Sequence, residues 1–269
     1  MKIRHIIMLF ALMFMMTSCV SERVEFKEAS GKMYSETISG RTFKDLRVCS
    51  FFDITLHKSE KYSVDIEVSE ELKDCLRAEV GSGQLLLCFD DQYDRCRKYR
   101  NLKARADIYL PSFETIDLSG AATLSAADTF RVEKAEFCLS GASEIDRFYI
   151  IASYADVRAS GGSSMDAAIY ADSLFMRLSG ASEMELNTVG AKVGRYCSLD
   201  ASGASEIDMI RLPYDNIKAD CSGASEISVC AAKKLVGSAS GASEIKYKRA
   251  SADVKVDVMT SGASELKEK

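Results

Sequence analysis

The sequence predicts an all-β chain: a right-handed, single-stranded parallel β-helix, a solenoid of ~20-residue coils with an irregular N-terminal β-rich cap containing one short helix. Three observations predict it. A short phrase, Ser-Gly-Ala-Ser-Glu-Ile in its fullest form, returns eight times from Ser119 onward. Its glycines, at 120, 141, 161, 180, 203, 223, 241 and 262, lie 18 to 23 residues apart, a spacing at which each unit is too small to bury a face alone. Around each glycine, apolar residues alternate with polar ones at a period of two, which is a strand pattern.

Taken in order, the chain begins with Lys2, Arg4 and His5, then an unbroken apolar run from Ile6 to Met16, then Thr17-Ser18-Cys19. The run is shorter than the ~20 residues of a spanning helix and has the layout of an export signal. Residues 1–18 are expected to be a signal peptide. Cys19 is expected to be the lipidated first residue of the mature chain, as at the lipobox of bacterial lipoproteins. Cleavage near Ser18 without lipidation is the alternative. Residues 19–41 would then be a lipid-anchored linker, residues 42–118 the β-rich cap and residues 119–266 the repeat.

Within the cap, Val48 to Leu56 and Tyr62 to Val68 alternate as strands do. Ser69 to Ala78 has the composition of a short capped helix. Gly81-Ser82-Gly83 is expected to turn Ala78-Glu79-Val80 into a strand running from Leu85 to Phe89. Ala106 to Leu110 is a further strand, entering the repeat through Pro111. Such a segment would cover pairing edges that an open end of the stack leaves bare.

In the repeat, the positions four before each glycine are Ile116, Phe137, Val157, Met176, Leu199, Ala219, Gly237 and Val258. Those four after it are Leu124, Ile145, Met165, Met184, Ile207, Ile227, Ile245 and Leu266. Helical periodicity fails here, and Ser-Gly pairs this frequent would break helices. A leucine-rich repeat would need a fixed Leu-x-x-Leu-x-Leu frame with asparagine, which is absent. In a β-helix, equivalent residues stack at the ~4.8 Å strand spacing, so eight coils make a rod ~35–40 Å long. Glycine at the corner supplies positive φ or close backbone approach, and serines hydrogen-bond up and down the stack. Right-handedness follows from the preference of parallel crossovers.

Composition narrows the function classes. The net charge of −5 argues against nucleic acid as partner. At 47% apolar residues the chain is not a disordered one. Besides Cys19 there are Cys49, Cys75, Cys88, Cys96, Cys138, Cys197, Cys221 and Cys230, with no Cys-x-x-Cys pair to suggest zinc. Most are expected to be small buried fillers. Cys88 and Cys96, bracketing a polar loop, are the first pair to consider for a disulfide.

The order Phe51-Phe52-Asp53-Ile54-Thr55-Leu56, Tyr62 to Glu67, a short helix, Gln84 to Leu87, Ile108-Tyr109-Leu110-Pro111, Ile116 to Gly120 and then repeated Ser-Gly-Ala-Ser-Glu-Ile resembles the "putative auto-transporter adhesin, head GIN domain" family of Bacteroidetes lipoproteins. The resemblance runs from about Thr42 to Leu266. It implies a β-helical fold and a cell-surface or periplasmic setting, and it carries no catalytic or binding residues with it.

Residues suited to chemistry are few. His57 stands alone, and no nucleophile-elbow or phosphate-binding glycine loop is present. Stacking would align Glu144, Glu183, Glu206, Glu226, Glu244 and Glu265 on one face, with a gap at Ser164 and with Asp146, Asp166, Glu185 and Asp208 nearby. Clustered acids suit glycoside chemistry, but a row that obeys the repeat points to structure. The same row offers oxygen ligands for weak calcium binding. Arg95, Arg97, Lys98, Arg100, Lys103 and Arg105, with Tyr93 and Tyr99, form a basic stretch suited to acidic glycans or lipid phosphates. The expectation is a non-enzymatic outer-membrane lipoprotein, facing the periplasm or the surface. Its partners would be the membrane, through Cys19, and glycans or host or envelope proteins. A β-helical carbohydrate-active enzyme is the alternative, favoured by a deep groove lined with non-repeat Asp, Lys and Arg.

Overall fold

The computed structural model of the chain describes residues 26–190 and 192–269, so the expected signal peptide and Cys19 lie outside the described residues. It is a β-solenoid of about eight turns with coils near 20 residues. Each coil is built largely from one bent strand, such as Glu144–Ala159 or Glu206–Cys221, paired in parallel with its equivalents one coil before and after.

The alternation of buried and exposed residues shows where each coil bends. In Glu144–Ala159 the inward side chains are Ile145, Phe148, Ile150, Ala152, Ala155, Val157 and Ala159. Period two breaks twice, at Asp146-Arg147 and at Ser153-Tyr154, where two successive residues face outward. A corner of this kind turns the strand without ending it. The third corner is the Ser-Gly-Ala-Ser turn, which gives each coil three sides.

That turn explains the repeated phrase. All eight repeat glycines have φ between 72° and 80°. A Cβ on Gly203 would lie 2.5 Å from the carbonyl oxygen of Gly180, and every repeat glycine meets the preceding turn in the same way. Both positive φ and backbone contact therefore exclude a side chain. The second serine points inward: Ser143, Ser163, Ser182, Ser205, Ser225 and Ser243 are buried. Their hydroxyls are satisfied mainly by main-chain carbonyls and seldom by one another. Ser225 Oγ donates to Ser222 O (2.6 Å) and lies 3.0 Å from Ala201 O, whereas among the described residues the serine hydroxyls approach one another only at Ser163 and Ser182, 3.5 Å apart.

The solenoid begins before the regular phrase does. Asp45–Val48 and Asp53–Lys58 pair in parallel with Thr115–Leu118 and Thr123–Ala126, and Ser50, with φ 76°, occupies the glycine position between them. Antiparallel strands close this end. Leu76–Gly81 covers Gln84–Phe89, while Ser63–Ser69 and Met33–Ser39 cover Ala104–Leu110. At the other end Lys255–Thr260 and Glu265–Glu268 are edge strands whose Lys255, Asp257 and Glu268 are exposed, charges that discourage further pairing.

Two expectations are corrected. Ser69 to Ala78 is not one capped helix: Glu70–Cys75 is a 3-10 helix and Leu76 onward is strand. The Ser69 hydroxyl makes no cap and instead accepts from Lys103 N at 2.8 Å, while the next residues are drawn into the hairpin with Gln84–Phe89. Cys88 is bonded to Cys49 and not to Cys96. Parallel pairing sets Val48 opposite Leu87, which brings the following cysteines to a Cα separation of 4.8 Å. Cys96 instead donates to Glu71 O at 2.9 Å, beside Cys75, whose thiol is pushed up to about 12, mainly by burial. Cys197 and Cys221 are buried fillers as expected, while Cys138 is half-buried on the outside.

Candidate functional site

Two outward faces flank the Ser-Gly-Ala-Ser turn. On the face after it, strand register aligns Thr123, Glu144, Ser164, Glu183, Glu206, Glu226, Glu244 and Glu265 in one column. A neighbouring column, two residues on, contains Asp166, Glu185, Asp208, Ser228, Lys246 and Lys267. The face thus changes character along its length. Towards the C-terminus, Lys246 bridges Glu226 and Glu244, and Lys267 bridges Glu244 (2.7 Å) and Glu265 (2.5 Å). These lysines hold Glu244 below the usual carboxylate range. In the middle of the column, burial and then the charges of Glu226 and Glu183 raise Glu206. Asp166 is raised by burial and by Glu185 and Asp146. Carboxylates one strand apart repel when no cation intervenes. Among the described residues, no group of three or more His, Cys, Asp or Glu side chains is arranged to hold a metal ion.

In the basic stretch, Arg95 and Lys98 line one cleft of about 220 Å³ with Tyr99, Glu71 and Asp74. Arg95 ends a 3-10 helix, Arg97 pairs with Asp94 at 3.0 Å and Arg100 stacks on Phe26. Lys98 lies over Tyr99, and Lys103 and Arg105 are exposed around the start of Ala104–Leu110. Arg105 lies in register with Asp53 on one side and Glu67 on the other. His57 Nε2 sits 2.8 Å from Asp107, and its ring stacks on Tyr109.

The face before the turn is the one the sequence reading missed. Here the columns break the repeat. Tyr154, Ser173 and Tyr196 share one, Asp156, Phe175 and Ser198 the next, and Cys138, Arg158, Arg177 and Asp200 a third. Tyr154, Phe175 and Tyr196 form a diagonal strip across three coils, with ring centroids 5.3 and 5.7 Å apart. Asp156 is buried, and its Oδ2 accepts from Arg158 at 2.7 Å. Two grooves adjoin the strip. One, of about 740 Å³, is lined by Phe113, Arg131, Val132, Lys134 and Tyr154. The other, of about 340 Å³, is lined by Asp117, Cys138, Arg158 and Arg177 and by the first serines of the turns. The signal was available as offsets from the repeat glycine: arginine recurs three before it at 158 and 177.

These grooves carry the non-repeat charges that the enzyme alternative asked for, with Glu114, Glu133 and Asp117 in their linings, but both are open to solvent. Lys44, 2.6 Å away, holds Glu114 below the usual carboxylate range, and Lys134 pairs with Glu136. Glycoside chemistry needs one carboxyl kept protonated beside an ionised one. Glu114 is held in the ionised form.

Fold and faces define a class: a β-solenoid that presents side chains from faces set by rung register. The chain belongs to the "putative auto-transporter adhesin, head GIN domain" family, whose profile matches residues 42–251. An adhesin-type family is one of exported or cell-surface proteins. Solved structures share the fold. One from Parabacteroides distasonis, described as a "putative lipid binding protein", superposes with a TM-score of 0.79 at 17% identity, covering 90% of this chain and 99% of that one. A "putative adhesin" from Parabacteroides merdae gives 0.76 at 16% identity, covering 91% and 99%. Another from Bacteroides fragilis gives 0.63 at 15%, covering 90% and 100%. No curated protein matches the chain.

Proposed function

We propose that this chain is a non-enzymatic cell-envelope lipoprotein, anchored through Cys19 at the outer membrane, whose solenoid is an adhesive module for glycans or for host or envelope proteins. One observation supports this reading most. The acid row that a glycan-cleaving β-helix would use is the part of the surface that obeys the repeat, and lysines stabilise one end of it. The irregular face instead bears aromatic rings and arginines, which suit binding more than proton transfer. Membership of an adhesin-type family supports the same reading.

The test has two parts. The protein is screened on glycan and matrix-protein arrays with and without calcium, and wild type and Cys19→Ser are labelled with palmitate in cells. Expected are reproducible binding to at least one class of ligand and loss of label in the variant. Silence across the arrays, or turnover of an arrayed glycan, would overturn the adhesive reading. Equal labelling of the two proteins would overturn the anchor.

A further inference from the structure

Resting on the adhesive reading, we infer that the face before the turn is a binding site for an acidic polysaccharide, one bearing uronate carboxylates or sulfate esters. Tyr154, Phe175 and Tyr196 are its platform and Arg158 and Arg177 its anion contacts.

The rings come first. Tyr154 and Phe175 are half-buried and Tyr196 is 38% exposed, so each shows part of its surface to solvent while its neighbour supports the other side. A diagonal of touching rings offers the apolar C–H faces of successive sugar units one platform after another. Cross-strand aromatic pairs also stabilise a sheet, but that role alone does not require the rings to stand beside a column of arginines.

The cations are the second observation. Arg158 and Arg177 are directly paired on adjacent coils, a like-charge contact offset by Asp156 beside Arg158 and by Asp200 in register with Arg177. Asp156 and Arg158 form an ion pair, whereas Arg177 makes none among the described residues. Planar guanidinium groups match carboxylate and sulfate oxygens two at a time. The same groove carries Ser140, Ser160 and Ser179, hydroxyls placed to meet those of a sugar.

The third observation is an acid with one of its two oxygens unpartnered. The Asp156 side chain is 5% exposed, and its Oδ1 is buried with no hydrogen-bond partner among the described residues. At the same column position the next coils carry Phe175 and Ser198, so the fold does not demand a carboxylate here. A half-exposed Arg158 covers it. Across the strip, Arg131 and Lys134 line the larger groove together with Lys44, Glu114 and Glu133, a lining of mixed charge. A sheet face presents no free main-chain groups, which argues against a peptide added as an extra strand.

The full-length protein is titrated in detergent with heparin and polygalacturonate oligosaccharides, and with neutral dextran oligosaccharides as control, by calorimetry and by saturation-transfer NMR on the tyrosine signals. Expected is salt-sensitive binding of the acidic oligosaccharides only. It should weaken at least tenfold in the Arg158→Ala/Arg177→Ala double variant and severalfold in Tyr196→Ala, with partial recovery in Arg177→Lys and an unchanged melting temperature for Arg177→Ala. Binding left intact by all these variants, as it would be if the Arg95–Arg105 stretch were responsible, overturns the assignment. So does the absence of acidic-glycan binding while neutral glycans or matrix proteins still bind on the arrays, and in that case the adhesive reading survives. Loss of every array ligand removes both.

Discussion

The two faces that meet at the Ser-Gly-Ala-Ser turn are made by the same backbone and differ in what their side chains answer to. After the turn, glutamate recurs because the phrase recurs, and its column is uniform enough to need lysines at one end. Before the turn, the outward positions carry Tyr, Asp, Phe, Arg, Cys and Ser in no fixed order, although their inward neighbours remain apolar. In a solenoid, each coil needs only its inner columns and its corners to stack. Outer positions are released from that requirement, so irregularity on an outer face is where specific recognition can be written. The comparison separates constraint by stacking from constraint by ligand, and substitutions can test each.

The largest effect is expected at the turn that both faces share. Gly203 and Gly83 have nearly the same φ, +80° and +79°, but a Cβ on Gly83 meets nothing within 4 Å while one on Gly203 meets Gly180 O at 2.5 Å. Gly83→Ala should therefore lower stability by roughly 1–2 kcal/mol, the left-handed penalty alone. Gly203→Ala should lose about 3 kcal/mol or more, because a backbone contact is added to it. Urea unfolding of both variants measures the difference. Equal losses would show that the turns do not rest on one another.

Next in size is the buried serine beneath the turn. Ser225→Ala removes a hydroxyl that bonds Ser222 O and lies within reach of Ala201 O, so a loss of about 1 kcal/mol is expected. Ala122 already occupies this place in the first regular coil and is buried without a hydroxyl. A larger loss would mean that the serines couple through the stack; no loss would mean that water replaces them.

How much of this was legible follows from the same distinction. The solenoid could be read because inner columns and turns are repeated, and repetition is visible without structure; Ile145, Met184 and Ile227 are buried where the alternation put them. The glutamate column was legible for the same reason. The Tyr154–Phe175–Tyr196 strip was not, because Ser173 interrupts the column shared by the two tyrosines and Phe175, at a different offset from its glycine, touches them only diagonally. The Cys49–Cys88 bond escaped because it depends on pairing between Asp45–Val48 and Gln84–Phe89, strands far apart in sequence whose register no repeat announces. The short helix ends at Cys75, before the expected Ala78, for a tertiary reason: Leu76–Gly81 is needed to cover an edge.

The glutamate face predicts a pH signature smaller than either effect above. Glu206 and Asp166 have folded-state pKa values raised above the unfolded ones, by burial and by neighbouring acids. As pH falls from neutral through that raised range, the folded state takes up protons before the unfolded chain does and gains stability. Glu244, held low by lysines, behaves oppositely: its contribution is present above the ordinary carboxylate value and fades as pH falls through its lowered one. Glu206→Gln should thus stabilise the protein at pH 7 by a few tenths of a kcal/mol at most, because the exposed carboxylate is screened by solvent, and by nothing below about pH 4. Lys246→Gln should destabilise it at pH 7 by at most about 1 kcal/mol. Melting temperatures of the two variants across pH 3–8 check both signs, and a Glu206→Gln variant less stable at pH 7 would mean that the column is held by cations.

The smallest effect separates the two reasons for glycine at the turn. Ser50 holds the glycine position of the first coil at φ 76°, alone among the turns in bearing a side chain there. At each later turn the Cβ direction runs into the turn before it: Gly120 meets Ser50, Gly141 meets Gly120, and so on along the stack. Ser50 has no earlier turn beneath it, since Gln84–Phe89 pairs with its strand but continues past Cys88 without such a corner. Its side chain is therefore tolerated, and only the left-handed backbone opposes it. Ser50→Gly relieves that strain of roughly 1–2 kcal/mol but gives the unfolded chain more freedom, which takes back about 0.5–1 kcal/mol. A net stabilisation of a few tenths of a kcal/mol up to about 1 is expected by urea unfolding. A loss would mean that the Ser50 side chain holds the first turn in place, and the glycine demand of the later turns would then rest on stacking alone.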